Sequence, residues 1–121
     1  MINTRLHALS DYAVPTGIGL LSLLPGLGRL RALTIAGPIY HLGYTLLSRH
    51  EGGVVPVIPM RTHLVFDAAG ALTFVGAGVL TRRQPAWQRL MFIAIGVTEL
   101  IEIAFSDDRD VPRRDRARIA S

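Results

Sequence analysis

The sequence contains no cysteine and no lysine. The first absence excludes disulfides, thiolate nucleophiles and cysteine-ligated metals, so any metal would have to be held by imidazole and carboxylate. The second leaves 13 arginines to carry the positive charge against 9 acidic residues, for a net charge of +4. Arginine without lysine, beside abundant alanine and glycine, is a compositional mark of a GC-rich bacterial genome and says nothing of chemistry. Charge of either sign is scarce, at 18% of the chain, and is missing altogether from 12–28, 32–48, 68–81 and 90–98.

Half of the residues are hydrophobic, so the chain either has a large core or lives in lipid. Crossing a bilayer core of roughly 30 Å takes about 20 helical residues, with a lower limit near 17. Four spans are expected, at about 6–25, 30–48, 62–81 and 86–105, with Asp67, Glu99 and Glu102 held near one end of theirs. A soluble four-helix bundle is the competing architecture. Against it, "TFVGAGVL" and "MFIAIGV" lack the polar face of 3.6-residue period that a soluble bundle helix carries. The arginines sit in short loops and in the tail "SDDRDVPRRDRARIAS", which argues against nucleic-acid binding and for a role in topology. The side holding both termini and the 49–61 loop carries 8 of them and the opposite side 5, favouring cytoplasmic termini. No cleavable signal peptide is expected, because Asp11, Pro15 and Gly17 already interrupt the first apolar run.

The chain also resembles itself. An offset of 56 residues carries His7 onto His63 and Asp11 onto Asp67, and an offset of 58 carries His41 onto Glu99, Tyr44 onto Glu102 and Ser48 onto Ser106. Two copies of one helical hairpin are therefore expected, 1–50 and 59–106, joined by "RHEGGVVPVIPM". Both copies would enter the membrane in the same direction and be related by a pseudo-two-fold axis along its normal. The linker is broken by Gly52, Gly53, Pro56 and Pro59 and is expected on the bilayer surface. "PGLG" and "RRQP" close the hairpins. Gly17, Gly19, Gly37, Gly43, Ala69, Gly70, Gly76 and Gly78 suggest close packing of the spans. The tail 107–121 is expected to be a disordered charged arm.

The polar residues within the spans are few and patterned. His7 with Asp11, and His63 with Asp67, are four apart and share a helix face; His41 with Tyr44, and Glu99 with Glu102, are three apart and do the same. An ionisable group within a bilayer costs about 2.5–3.5 kcal/mol on the gentler scales. Turning the eight residues inward removes much of that cost, so one interior cluster is expected, with Arg5 and Arg61 at its edge. It can be read as architecture, each Asp accepting from a neighbouring His near a helix N-terminus. It can be read as a divalent-metal site or proton path made of His7, Asp11, His63 and Asp67, completed by His41, Glu99 and Glu102. It can also be read as a haem site with His7 and His63 axial, or a quinone site with Arg61 and Tyr44. No nucleophile or oxyanion motif is visible, so an enzyme is the least favoured outcome.

The stretches "GVVPVIPMRTHLVFDAAGAL" and "RLHALSDYAVPTGIGLL" resemble the SPW-repeat group of small bacterial membrane proteins. In that group tandem two-helix repeats each place a His and an Asp at the start of the first helix, with Ile-Pro-Met before the second copy, here Ile58 to Met60. Of the Ser-Pro-Trp triplet that names the group, only Pro25 is kept. The resemblance implies an all-α, multi-pass protein of the bacterial inner membrane, with no established activity. The sequence as a whole points to a non-enzymatic membrane module that binds or relays a small cation. The alternative is a scaffold that pairs with a second copy or a membrane partner subunit.

Overall fold

The computed structural model describes residues 1–111 and is all-helical: α1 (Thr4–Leu21), α2 (Leu30–Leu46), α3 (Met60–Leu80) and α4 (Ala86–Phe105). Among the described residues there is no strand, only the isolated bridges Ile2 to Ser106 and Ser48 to Ile58. α1 pairs with α2, α3 with α4, and α2 lies against α3. α1 and α4 meet at the end bearing the termini, where Ser10 Oγ donates to Glu102 at 2.9 Å. Further along, a groove lined by Ala13, Gly17 and Ala94 separates them.

α1 ends at Leu21, four residues before the expected boundary. The chain there enters the turn "PGLG", which needs left-handed backbone at Gly26 (φ 74°) and Gly28 (φ 54°), a conformation glycine adopts freely. Arg31, in the first turn of α2, donates to the carbonyls of Ser22 and Leu24. At the equivalent position of the second hairpin, Arg89 donates to the carbonyls of Gly78 and Val79, at 2.9 and 3.1 Å. Arg31 thus satisfies the C-cap carbonyl of α1 and one in the turn that follows, and Arg89 two carbonyls that the C-terminus of α3 leaves unpaired. These two arginines, expected from the sequence to set topology, also tie the hairpin turns to the helix ends.

Small residues decide how closely α3 and α4 approach. A Cβ on Gly96 would stand 2.4 Å from the Ala71 carbonyl oxygen, and one on Gly78 would stand 2.5 Å from that of Arg89. Gly96 was absent from the expected packing set, whereas Gly17, Gly43 and Gly76, which belonged to it, have nothing within 4 Å. The apolar core gathers at the hairpin-turn end, from Ile18, Leu27, Leu30, Phe74 and Phe92. There the rings of Phe74 and Phe92 stack 5.4 Å apart.

The linker does not simply trail along a surface. The N–H groups of Val57 and Ile58 donate to the Leu47 carbonyl, and that of Val54 to the Leu46 carbonyl, which folds 49–58 back over the ends of the helices. Gly53 is obligatory in this fold, since a Cβ there would meet the Ser48 carbonyl at 1.8 Å. The side chains of Val54, Val55 and Val57 stay exposed, while His50 is fully enclosed beneath. Residues 107–111 pack against the same end: Asp110 accepts from the Met60 N–H at 2.8 Å and caps α3, and the Val111 N–H donates to Arg49. The remainder of the expected disordered arm, 112–121, lies outside the described residues.

Candidate metal centre

His7 and Asp11 sit one turn apart in α1, and His63 and Asp67 one turn apart in α3, so both pairs project from one face of their helix. The faces meet. His7, Asp11, His63 and Asp67 are all at most 4% exposed, and one ligand atom from each lies within 4.8 Å of the others. His7 Nε2 is 3.2 Å from His63 Nε2 and 3.0 Å from Asp67 Oδ2. His63 Nε2 is 3.2 Å from Asp67 Oδ2 and 3.0 Å from Asp11 Oδ2, and His7 Nε2 is 3.5 Å from Asp11 Oδ1.

Those separations fit hydrogen bonds and also the edges of a coordination shell around one ion. A tetrahedron with metal–ligand bonds of about 2.0–2.1 Å has edges of about 3.3 Å. Asp11 Oδ2 is buried without a well-aligned hydrogen bond, although two imidazole nitrogens stand within 3.2 Å of it. Beside the cluster is a void of about 10 Å³, bordered by His7, Asp11, His41, Asp67, Glu99 and Glu102, about the space of one water or one ion.

The protonation of the two imidazoles follows from their other nitrogens. Ser106 Oγ spends its only hydrogen on the Glu102 carbonyl at 2.7 Å, so it accepts from His7 Nδ1 at 2.8 Å. Ser48 Oγ spends its hydrogen on the Tyr44 carbonyl at 2.6 Å, so it accepts from His63 Nδ1, also at 2.6 Å. Each histidine is thereby held by the serine of the other hairpin. With Nδ1–H fixed, the neutral ring presents a lone pair at Nε2, and both lone pairs face each other and two carboxylates. Only a cation, a metal or added protons, makes that arrangement favourable.

A third histidine, unassigned in the sequence, completes the enclosure. His50 Nδ1 accepts from the Gly52 N–H at 3.0 Å, so in the neutral ring Nε2 carries the hydrogen. That nitrogen stands 3.2 Å from Asp11 Oδ2, without a well-aligned hydrogen bond. Sequence reasoning passed over His50 because it lies in the linker, outside any helical periodicity; the adjoining Gly52 and Gly53 were the available signal. Gly52 brings the linker down onto the helices, its carbonyl accepting from Tyr12 Oη at 2.5 Å.

The other expected members are distributed around this centre. His41 Nε2 donates to Asp11 Oδ1 at 3.1 Å and Tyr44 Oη to Asp67 Oδ1 at 2.5 Å, each spending one carboxylate oxygen and leaving the other for the centre. Glu102 Oε1 is 3.4 Å from His7 Nδ1. Glu99 lines the void beside the cluster but makes no hydrogen bond or ion pair with a described residue. Arg5 is exposed, and Arg61, 84% exposed, pairs outward with Asp108, so neither joins the cluster and the quinone arrangement with Arg61 and Tyr44 is not assembled. A haem between His7 and His63 does not fit either. Axial nitrogens would stand about 4 Å apart, two metal–nitrogen bonds of about 2 Å each, whereas these are 3.2 Å apart with their rings at 71°.

Comparison of the chain with family models, with curated protein sequences and with solved structures found no match.

Proposed function

We propose that this chain is a multi-pass membrane protein that binds one divalent first-row metal ion through His7, Asp11, His63 and Asp67. The observation that carries the reading is that each of two imidazole nitrogens stands 3.0–3.5 Å from both carboxylates, with one ligand atom of each residue within 4.8 Å of the others. Serine partners point both Nε2 lone pairs inward. Two carboxylates neutralise a divalent ion, and the mixture of nitrogen and oxygen donors suits zinc, manganese, iron or cobalt. Protons compete for the same seats, so binding releases protons and weakens as pH falls. Cobalt(II) titration of the full chain in mild detergent tests this: a saturable visible band of tetrahedral intensity is expected, lost in Asp67→Asn. No band at any cobalt concentration would sink the reading.

The membrane setting is argued from polarity. Ionisable residues lie inside the bundle, while Leu9, Leu20, Val65, Leu72, Trp87 and Leu90 are each more than half exposed, the inverse of a water-soluble bundle. By length and composition one described helix, Met60–Leu80, is long and apolar enough to cross a membrane. α1 and α2 are 18 and 17 residues long, and α4 bears Arg89, Glu99 and Glu102. The proposal that these three cross as well rests on their apolar outer faces and on the resemblance to tandem-hairpin membrane proteins. The absence of cysteine makes the test direct. Single cysteines at Leu23 and at Arg61 should label from opposite sides of sealed vesicles, and labelling from one side alone would overturn four crossings.

A further inference from the structure

Between α2 and α3 lies a cavity of about 270 Å³ that the metal reading does not use. Its walls are apolar and aromatic, with Ile18, Leu33, Tyr40, Tyr44 and Phe74 among them, and Glu99 and His41 border it. A cavity of about 150 Å³ holds benzene, so this one has room for an aromatic ring with a short chain.

The hydrogen-bonding capacity left on these walls is of one kind. Tyr40 Oη is spent on the Phe66 carbonyl at 2.9 Å, Tyr44 Oη on Asp67, and Thr73 Oγ1 on the Ala69 carbonyl. His41 donates from Nε2 to Asp11, which leaves its Nδ1 as an acceptor in the neutral ring. Glu99 makes no hydrogen bond or ion pair with a described residue, and in its ionised form its carboxylate only accepts. A ligand offering carbonyl oxygens would meet no free donor. A ligand offering N–H groups and a positive charge would meet the Glu99 carboxylate beside a wall that includes Tyr40 and Tyr44.

We infer that this cavity binds a lipophilic ammonium ion, an amine bearing one aromatic group, with Glu99 as its counter-ion. The site adjoins the metal centre, since His41 and Glu99 also line the void beside it, but Glu99 is not among the four grouped ligands, and metal content measured on Glu99→Gln keeps the failure of one reading distinguishable from the failure of the other. Burial of the aromatic body supplies affinity, and the carboxylate supplies the preference for charge.

The experiment is fluorescence titration of the full chain in mild detergent with 1-naphthylmethylammonium, beside the uncharged 1-naphthylmethanol. Saturable binding at least tenfold tighter for the ammonium ion is expected. Glu99→Gln should abolish that preference while keeping the wild-type melting curve. Gly70→Leu should weaken both ligands by filling the cavity; a Cβ there meets only Tyr40, at an ordinary 3.6 Å. The inference is overturned by equal affinity for the two compounds, by absence of saturable binding to the wild-type chain, or by an unchanged preference in Glu99→Gln.

Discussion

The two ends of this bundle are built from different materials. At the turn end the core is Ile18, Leu27, Leu30, Phe74 and Phe92, and arginines at equivalent positions of the two hairpins tie the turns to the helix ends. At the end bearing the termini the interior is four histidines and two aspartates, roofed by the linker and by residues 107–111. One end has every feature of a closure device. The other concentrates charge where architecture alone would favour apolar packing, because a buried ionic cluster is a poor source of stability. Fold and site are thus carried by separate sets of residues, and substitutions should separate them.

The largest effect is expected from Gly96→Val. Its side chain would enter the space of the Ala71 carbonyl, so α3 and α4 cannot close, and no cooperative melting transition should remain by circular dichroism. Asp67→Asn comes next in consequence and acts at the other end. It keeps the shape of the side chain but removes one anionic ligand, so metal should fall below detection while the helical signal is retained. Phe92→Ala should cost about 3 kcal/mol through the cavity it opens, measured by denaturant titration. The folded fraction of that variant should hold metal as the wild type does, and loss of metal there would erase the proposed division.

The smaller effects sharpen the comparison. Ser48→Ala or Ser106→Ala removes the acceptor that fixes one imidazole, and should weaken metal binding about 10–100-fold, read by chelator competition. Gly76→Ala has open space around it and should change stability by less than about 0.5 kcal/mol.

Much of this arrangement was legible in the sequence, for physical reasons. Charge-free runs between glycine and proline breaks define helices, and i, i+4 spacing of His and Asp defines a face, so the four helices and the His7, Asp11, His63, Asp67 group follow directly. The serines at 48 and 106 were visible as repeat partners, but their service to the opposite hairpin's histidine depends on how the hairpins dock, which periodicity does not encode. His50 was hidden by its place in a loop. Arg5 and Arg61 lie within two residues of the site histidines in sequence, yet helix geometry turns them outward, two residues being more than half a turn. Glu99 shares a helix face with Glu102, but α4 lies against α1 only near the termini, so Glu99 borders both the void beside the cluster and the neighbouring cavity without a hydrogen bond or ion pair to a ligand.

The central claim is that four converging side chains hold an ion. Elemental analysis of the full chain purified in mild detergent, beside the double variant His7→Ala, His63→Ala, tests it most directly. One equivalent of a first-row divalent metal in the wild type and none in the folded variant is the result this account requires. A wild-type chain that takes up no metal even after incubation with zinc, manganese, iron and cobalt would contradict it, and would leave the cluster as protonated histidines pairing with aspartates to hold the helices together.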